Sequence, residues 1–186
     1  MKATELLAKQ HKIVKGLLET LPDATTDERR AQFEEVAGAL AAHDAIERQI
    51  FYPAIEKELG MDPILGESIV EHGVIEFMLY RTDRALNGPE FSYEATVLKE
   101  AVLHHAEEEE RDLFPKVKEA FDDEQLEALG KQMELLFDKQ LKGDFRETVT
   151  AQLQGVLDGG MKAKPRRPSS RAGAHANSKA RSRAHS

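Results

Sequence analysis

His43 and His105 each begin the same phrase. A Glu stands four residues on (Glu47, Glu109), an apolar pair eight and nine on (Phe51-Tyr52, Leu113-Phe114), and Pro ten on (Pro53, Pro115). An imidazole and a carboxylate side by side can bind a transition-metal cation or pass a proton. His-x3-Glu arises often by chance, so its meaning depends on which face the two residues occupy. On a helix, residues i and i+4 point the same way, about 6 Å apart along the axis.

Both pairs fall on an apolar stripe. In the second helical stretch the inward positions read Phe33, Val36, Leu40, His43, Glu47, Ile50, Ala54, at spacings of three and four. The first stretch reads Leu7, His11, Val14, Leu18, Leu21, and the third Leu65, Ile69, His72, Glu76, Leu79. The fourth reads Leu98, Val102, His105, Glu109, Leu113. Each stripe is interrupted by one His, and three add a Glu one turn later. Burying one unpaired carboxylate costs several kcal/mol, so three would unfold a domain of ordinary stability. A bound cation satisfies carboxylates and neutral imidazoles together. Seven candidates (His11, His43, Glu47, His72, Glu76, His105, Glu109) exceed what one four-coordinate zinc takes and suit two adjacent metals sharing carboxylates. Nitrogen with oxygen favours iron, with manganese second. His104 and most of the Glu107 to Glu110 run lie off the stripe, with Glu108 a weaker candidate through His104. His175 and His185 fall outside the site.

The elements that must position these residues follow from punctuation. Helices are expected from about Thr4 to Leu21, from a Thr26 cap to Leu59-Gly60, and from Asp62-Pro63 to Asn87-Gly88-Pro89. A fourth runs from about Tyr93 to Phe121 and a fifth from Asp122 or Asp123 to Lys142-Gly143. Short loops between four long helices predict an all-α, up-down-up-down four-helix bundle, with the fifth helix outside or across one end. Residues 1–143 form this domain, residues 144–158 a short helix or linker, and residues 159–186 a disordered basic tail. Pro53 and Pro115, inside helical patterns, predict a kink or break just past the metal layer.

Composition agrees. Across 186 residues, 32% are charged, 6% are aromatic and Trp is absent, which suits a helical bundle. There is no Cys, which excludes disulfides, iron–sulfur clusters and thiol catalysis. No signal peptide or membrane span is read, so the expected location is cytoplasmic. From Gly159 onward stand eight basic residues and no acid, whereas the preceding body holds 18 basic and 34 acidic residues, a net of −16. Nucleic acid is a candidate partner only through this basic tail, and folding back onto the acidic body is the competing role.

The chain resembles the haemerythrin-like proteins, in particular the bacterial cation-binding domain named for its His-His-Glu pattern. The resemblance spans roughly Thr4 to Phe121. It rests on His11, His43-x3-Glu47 with Phe51-Tyr52-Pro53, Glu71-His72, and His105-x3-Glu109 with Leu113-Phe114-Pro115. It implies a non-haem di-iron centre inside a four-helix bundle, with His11, His43, His72 and His105 as terminal ligands and Glu47 and Glu109 as bridges. The oxygen-carrying members place two His a turn apart on the third helix and bridge with an Asp five residues after the last His. Here Glu76 follows His72, and Glu109 stands four after His105. As a ligand, Glu76 would favour ferric iron and disfavour reversible O2 release; in an outer role it would leave a coordination position open.

The resemblance implies a protein that meets O2, peroxide or NO in sensing, detoxification or iron handling. The enzyme alternative is a di-iron peroxide-disproportionating or oxidase-like activity. Ferritin-like enzymes fit less well, because they use Glu-x-x-His.

Overall fold

A computed structural model describes residues 1–157, so the basic stretch from Gly159 lies outside the described residues. Every regular element among them is helical. Helix α1 spans Ala3–Thr20 and ends in a 3-10 turn, Leu21–Asp23, that holds Pro22. Helix α2 begins at Arg29, three residues after the expected Thr26 cap. The Thr25 hydroxyl instead donates to the Glu28 carboxylate at 2.6 Å, closing a turn ahead of the helix. Helix α4 (Pro63–Ala85) starts as the sequence predicts: Asp62 accepts the Ile64 N–H at 3.0 Å, and Pro63 has no N–H to satisfy. Helix α7 (Asp123–Gln140) starts at a reciprocal cap between Asp122 and Gln125, and α8 spans Phe145–Leu157.

The doubled phrase explains the breaks in the two remaining stretches. Helix α2 (Arg29–Ile46) passes through a π turn, Glu47–Phe51, into α3 (Tyr52–Leu59). Helix α5 (Phe91–Glu108) passes through a second π turn, Glu109–Leu113, into α6 (Phe114–Ala120). The Tyr52 N–H reaches the Glu47 carbonyl, and the Phe114 N–H reaches that of Glu109. In an α-helix Pro53 and Pro115 would clash with the carbonyl four residues back, and a wider turn before each relieves that clash. The wider turn also moves the inward face by one residue. The stripe expected at Ile50 and Ala54 is occupied by Phe51 and Ile55, both fully buried.

Helix α1 packs on α2 and α5, and α4 on α2 and α5, closing a ring of four. Helix α7 lies against α1 and α2, and α8 across α4 and α2. The core is split in two. One apolar cluster includes Val14, Leu18, Leu40, Leu79, Leu98 and Val102; the other includes Leu7, Ile46, Phe51, Leu65, Leu113 and Phe114. On each of the four helices the histidine falls between the two clusters. Along α1 and α4 the chain meets the second cluster first, and along α2 and α5 it meets the first. No helix among the described residues is long and apolar enough to cross a membrane.

Candidate metal centre

Four imidazoles enter the polar layer, one from each helix of the ring, all at most 5% exposed. They face each other in pairs: His11 Nε2 lies 3.2 Å from His43 Nε2, and His72 Nε2 lies 3.0 Å from His105 Nε2. Two carboxylates fill the space between the pairs. Glu47 Oε2 is 3.1 Å from Nε2 of both His43 and His72, one from each pair. Glu109 Oε2 is 3.6 Å from His11 Nε2 and 3.9 Å from His105 Nε2, again one from each pair. Both carboxylates are fully buried. Neither Glu47 oxygen nor Glu109 Oε2 has a hydrogen-bond partner of acceptable geometry.

These residues fit a cation. Nitrogen ligands stand about 2.1 Å from a divalent metal, so two at right angles on one metal are about 3 Å apart. The imidazole pairs show that separation. Four side chains could hold one ion (His11, His43, Glu47, Glu109), and three could hold a second (Glu47, His72, His105). Glu47 belongs to both groups.

The outer nitrogens explain why every Nε2 points inward. His43 Nδ1 donates to Gln10 Oε1, His105 Nδ1 to Glu71 Oε2 and His11 Nδ1 to Glu110 Oε1, each at 2.9 Å. His72 Nδ1 donates to Asp44 Oδ1. Every partner is an acceptor oxygen, so Nδ1 carries the hydrogen and Nε2 is left for the centre. The four bonds run round the ring of helices. Gln10 neighbours His11 and holds His43, and Asp44 neighbours His43 and holds His72. Glu71 neighbours His72 and holds His105, and Glu110 neighbours Glu109 and closes the ring on His11. Tyr52, delivered by the first π turn, donates to Glu109 Oε1 at 2.9 Å and lies 2.8 Å from His72 Nε2.

The electrostatics mark the layer as a place for positive charge. Burial opposes a charged Glu47, yet His43 and His72 hold it well below the usual carboxylate range. Burial and the adjacent Glu47 push Glu109 well above that range. Burial also opposes a charged His72, but Asp44 and Glu47 outweigh it and raise His72 to about 10. His11 goes the other way, lowered to about 2 by burial and by His43.

Beside the layer, on the Val14 side, lies a cavity of about 20 Å³. Its apolar wall includes Val14, Leu40, Ile75, Leu79 and Val102; its polar wall includes the four histidines and Glu76, and Val149 and Gln152 of α8 line it too. A cavity of this size takes about one water-sized molecule.

A sequence model of the haemerythrin HHE cation-binding domain matches residues 2–117, more than half of the chain. The chain belongs to the haemerythrin HHE cation-binding family. It is 29% identical over 146 residues to "Uncharacterized protein Rv2633c" of Mycobacterium tuberculosis, covering 77% of this chain and 89% of that protein. A Mycobacterium bovis protein, Mb2666c, matches at the same identity and coverage. Among solved structures, the crystal structure of an HHE cation-binding domain-containing protein from Mycobacterium kansasii, an Rv2633c homolog, aligns with a TM-score of 0.65. It is 27% identical and covers 86% of this chain and 94% of that one.

Of the seven candidates read from this HHE sequence, the structure brings six to the centre. Glu76 is buried in the same layer but lies in neither metal-holding group. Its Oε1 is 2.9 Å from Arg48 Nη2, and burial with the nearby Asp44 raises it to about 7. Sequence reasoning passed over Gln10, Asp44 and Glu110 as partners of the histidines, quoted Glu71 and Tyr52 only as part of a pattern, and missed Gln152. The available signal was a polar residue directly beside His11, His43, His72 and Glu109. His104 Nε2 lies 3.5 Å from Glu71 Oε1 and 3.7 Å from Glu108 Oε1 at the surface, away from the buried centre.

Proposed function

We propose that this HHE protein holds two iron ions in the polar layer of an up-down-up-down four-helix bundle and uses them to meet O2, peroxide or NO. The antiparallel topology is supported by the alternating order in which the four helices meet the two core clusters. His11 and His43 would serve one iron and His72 and His105 the other, with Glu47 and Glu109 shared. The observation that carries this reading is Glu47. Its carboxylate is fully buried, has no hydrogen bond, and lies 3.1 Å from a nitrogen of each imidazole pair. A metal cation on either side would offset the cost of burying it there.

When bound, the iron pair supplies electrons and an open coordination position. The chain does the rest. Gln10, Asp44, Glu71 and Glu110 hold the Nδ1 hydrogens, so the imidazoles are oriented before metal arrives. Val14, Leu40, Ile75, Leu79 and Val102 limit water beside the centre. The Tyr52 hydroxyl donates to Glu109 Oε1 and fixes that carboxylate's orientation. Imidazole with carboxylate favours iron over magnesium or calcium, with manganese the runner-up.

The enzyme reading, disproportionation of hydrogen peroxide to water and O2, is favoured by one observation. Glu76 Oε2 and Gln152 Oε1 are buried without hydrogen-bond partners, Glu76 Oε1 being paired with Arg48, and both side chains line the cavity. Hydrogen peroxide brings two O–H donors to such acceptors; O2 and NO bring none. Anaerobic loading with ferrous iron, followed by separate exposure to O2, NO and hydrogen peroxide, tests both readings. A changed visible spectrum with each supports ligand contact. Sustained O2 evolution from peroxide selects the enzyme, and no spectral response to any of the three ends the proposal.

A further inference from the structure

Helix α8 lies wholly beyond the residues that match the family, which end at 117, yet it completes the wall of the cavity beside the metal layer. We propose that α8 is the cover of that cavity, with Val149 and Gln152 setting which molecules reach the centre. This rests on the functional reading above.

Four side chains place the cover. Val149 is 4% exposed and belongs to the same apolar cluster as Val14, Leu79 and Val102, the opposite wall. Gln152 Nε2 donates to Asp44 Oδ2, and Asp44 Oδ1 in turn holds His72 Nδ1. The cover is therefore latched to the carboxylate that orients one of the four histidines. At its start Arg146 reaches Asp83 at 2.8 Å and Glu34 at 3.1 Å, and Phe145 meets Phe33 edge-on at 5.9 Å between centroids.

The strength of these contacts decides how the cover behaves. The Arg146 pairs are part-exposed and contribute little. Of the α8 side chains described, only Val149 is buried. A helix with one buried side chain among those described, and otherwise part-exposed contacts, opens locally at lower cost than the ring of four beneath it. Closed, it leaves room for about one water-sized molecule, which admits O2, NO or hydrogen peroxide and rejects organic substrates. Small molecules then enter past Val149 and Gln152, and selection is by size.

The test uses the full chain loaded with diamagnetic zinc, or as isolated if it holds no metal, and dissolved O2 as a paramagnetic probe. In the native chain the methyl groups of Val14, Ile75 and Val102 should relax faster with O2 than those of Leu65 and Leu126, which are buried elsewhere. The double variant Val149→Ala/Gln152→Ala should raise that relaxation several-fold. Val149→Leu, which fills the cavity and removes no contact, should lower it toward the Leu65 level. Because the variants act in opposite directions, failure of the first to fold leaves the second decisive. In iron-loaded chains, azide should change the spectrum faster in the double variant and slower in Val149→Leu at equal iron content. Lining methyls that relax no faster than Leu65, or variants that leave the O2 effect unchanged, overturn the cover. If O2 behaves as expected but no iron is held, the cover stands and the metal reading falls.

Discussion

Glu47 sits where a carboxylate has no reason to be unless something positive lies on each side. Replacing it with Gln keeps its size and one oxygen but removes the charge. Glu47→Gln should therefore lower the iron retained per chain while the helices stay intact, as read by metal analysis beside far-ultraviolet circular dichroism; undiminished iron would refute its shared role. His72 sets the pH dependence. Its pKa is raised to about 10, so near neutrality Nε2 carries a proton that a metal must displace. Metal binding should therefore release a proton, and apparent affinity should rise as pH climbs from 6 to 8. Competition against a chelator of known pH behaviour measures this, and a flat profile would contradict it. At this scale the sequence was most legible where chemistry collided with pattern. His11, His43, Glu47, His72, His105 and Glu109 stood out because each occupies a position where an aliphatic residue belongs. Gln10, Asp44 and Glu110 did not, because a polar residue beside a buried one looks like the start of the solvent face. Only the rotation of each helix toward its neighbour turns those residues onto the next histidine.

The π turns are the elements that distinguish this layer from an ordinary core. Each starts at a carboxylate of the centre and ends before a proline, and the first delivers Tyr52 to Glu109 and His72. Pro53→Ala restores a backbone donor and removes the ring that excludes the α-helical register. The segment should then relax toward an α-helix, carrying Tyr52 away from the centre. The expected result is retained helicity with metal affinity lowered on the order of tenfold, the scale seen when outer partners of a metal site are lost. Unchanged affinity, measured by the same chelator competition, would show that the turn does not position the centre. The sequence pointed to a break here through the repeated prolines. It could not show the type of break, because a π turn and a kinked α turn carry the same residues. That is why the expected stripe at Ile50 and Ala54 was off by one residue. Residues 144–158 were read as a short helix or linker, and α8 spans Phe145–Leu157; its place on the bundle was not legible, because Val149 and Gln152 carry no motif and their role exists only once α2 and α4 are packed beneath them.

Across the whole molecule, two apolar clusters hold the four helices at either end of a charged layer. The chain thus carries a weak middle that a cation would strengthen. Metal present at a hundredfold excess over Kd adds about 2.7 kcal/mol to the folded state. For a chain of this size that corresponds to a Tm increase of roughly 5–10 °C, reversed by chelation. Differential scanning calorimetry with and without chelator checks it, and an unmoved Tm would mean that the layer is stable without metal. The acidic body, at −16 before Gly159, also favours cation entry over anion entry. The measurement that bears most directly on the account is the iron count after anaerobic loading, made on the native chain and on the double variant His72→Ala/His105→Ala. Two irons per chain falling to one would establish a paired centre divided as the imidazole pairs divide it. No retained iron in the native chain, or a single iron indifferent to the loss of both histidines, would contradict it.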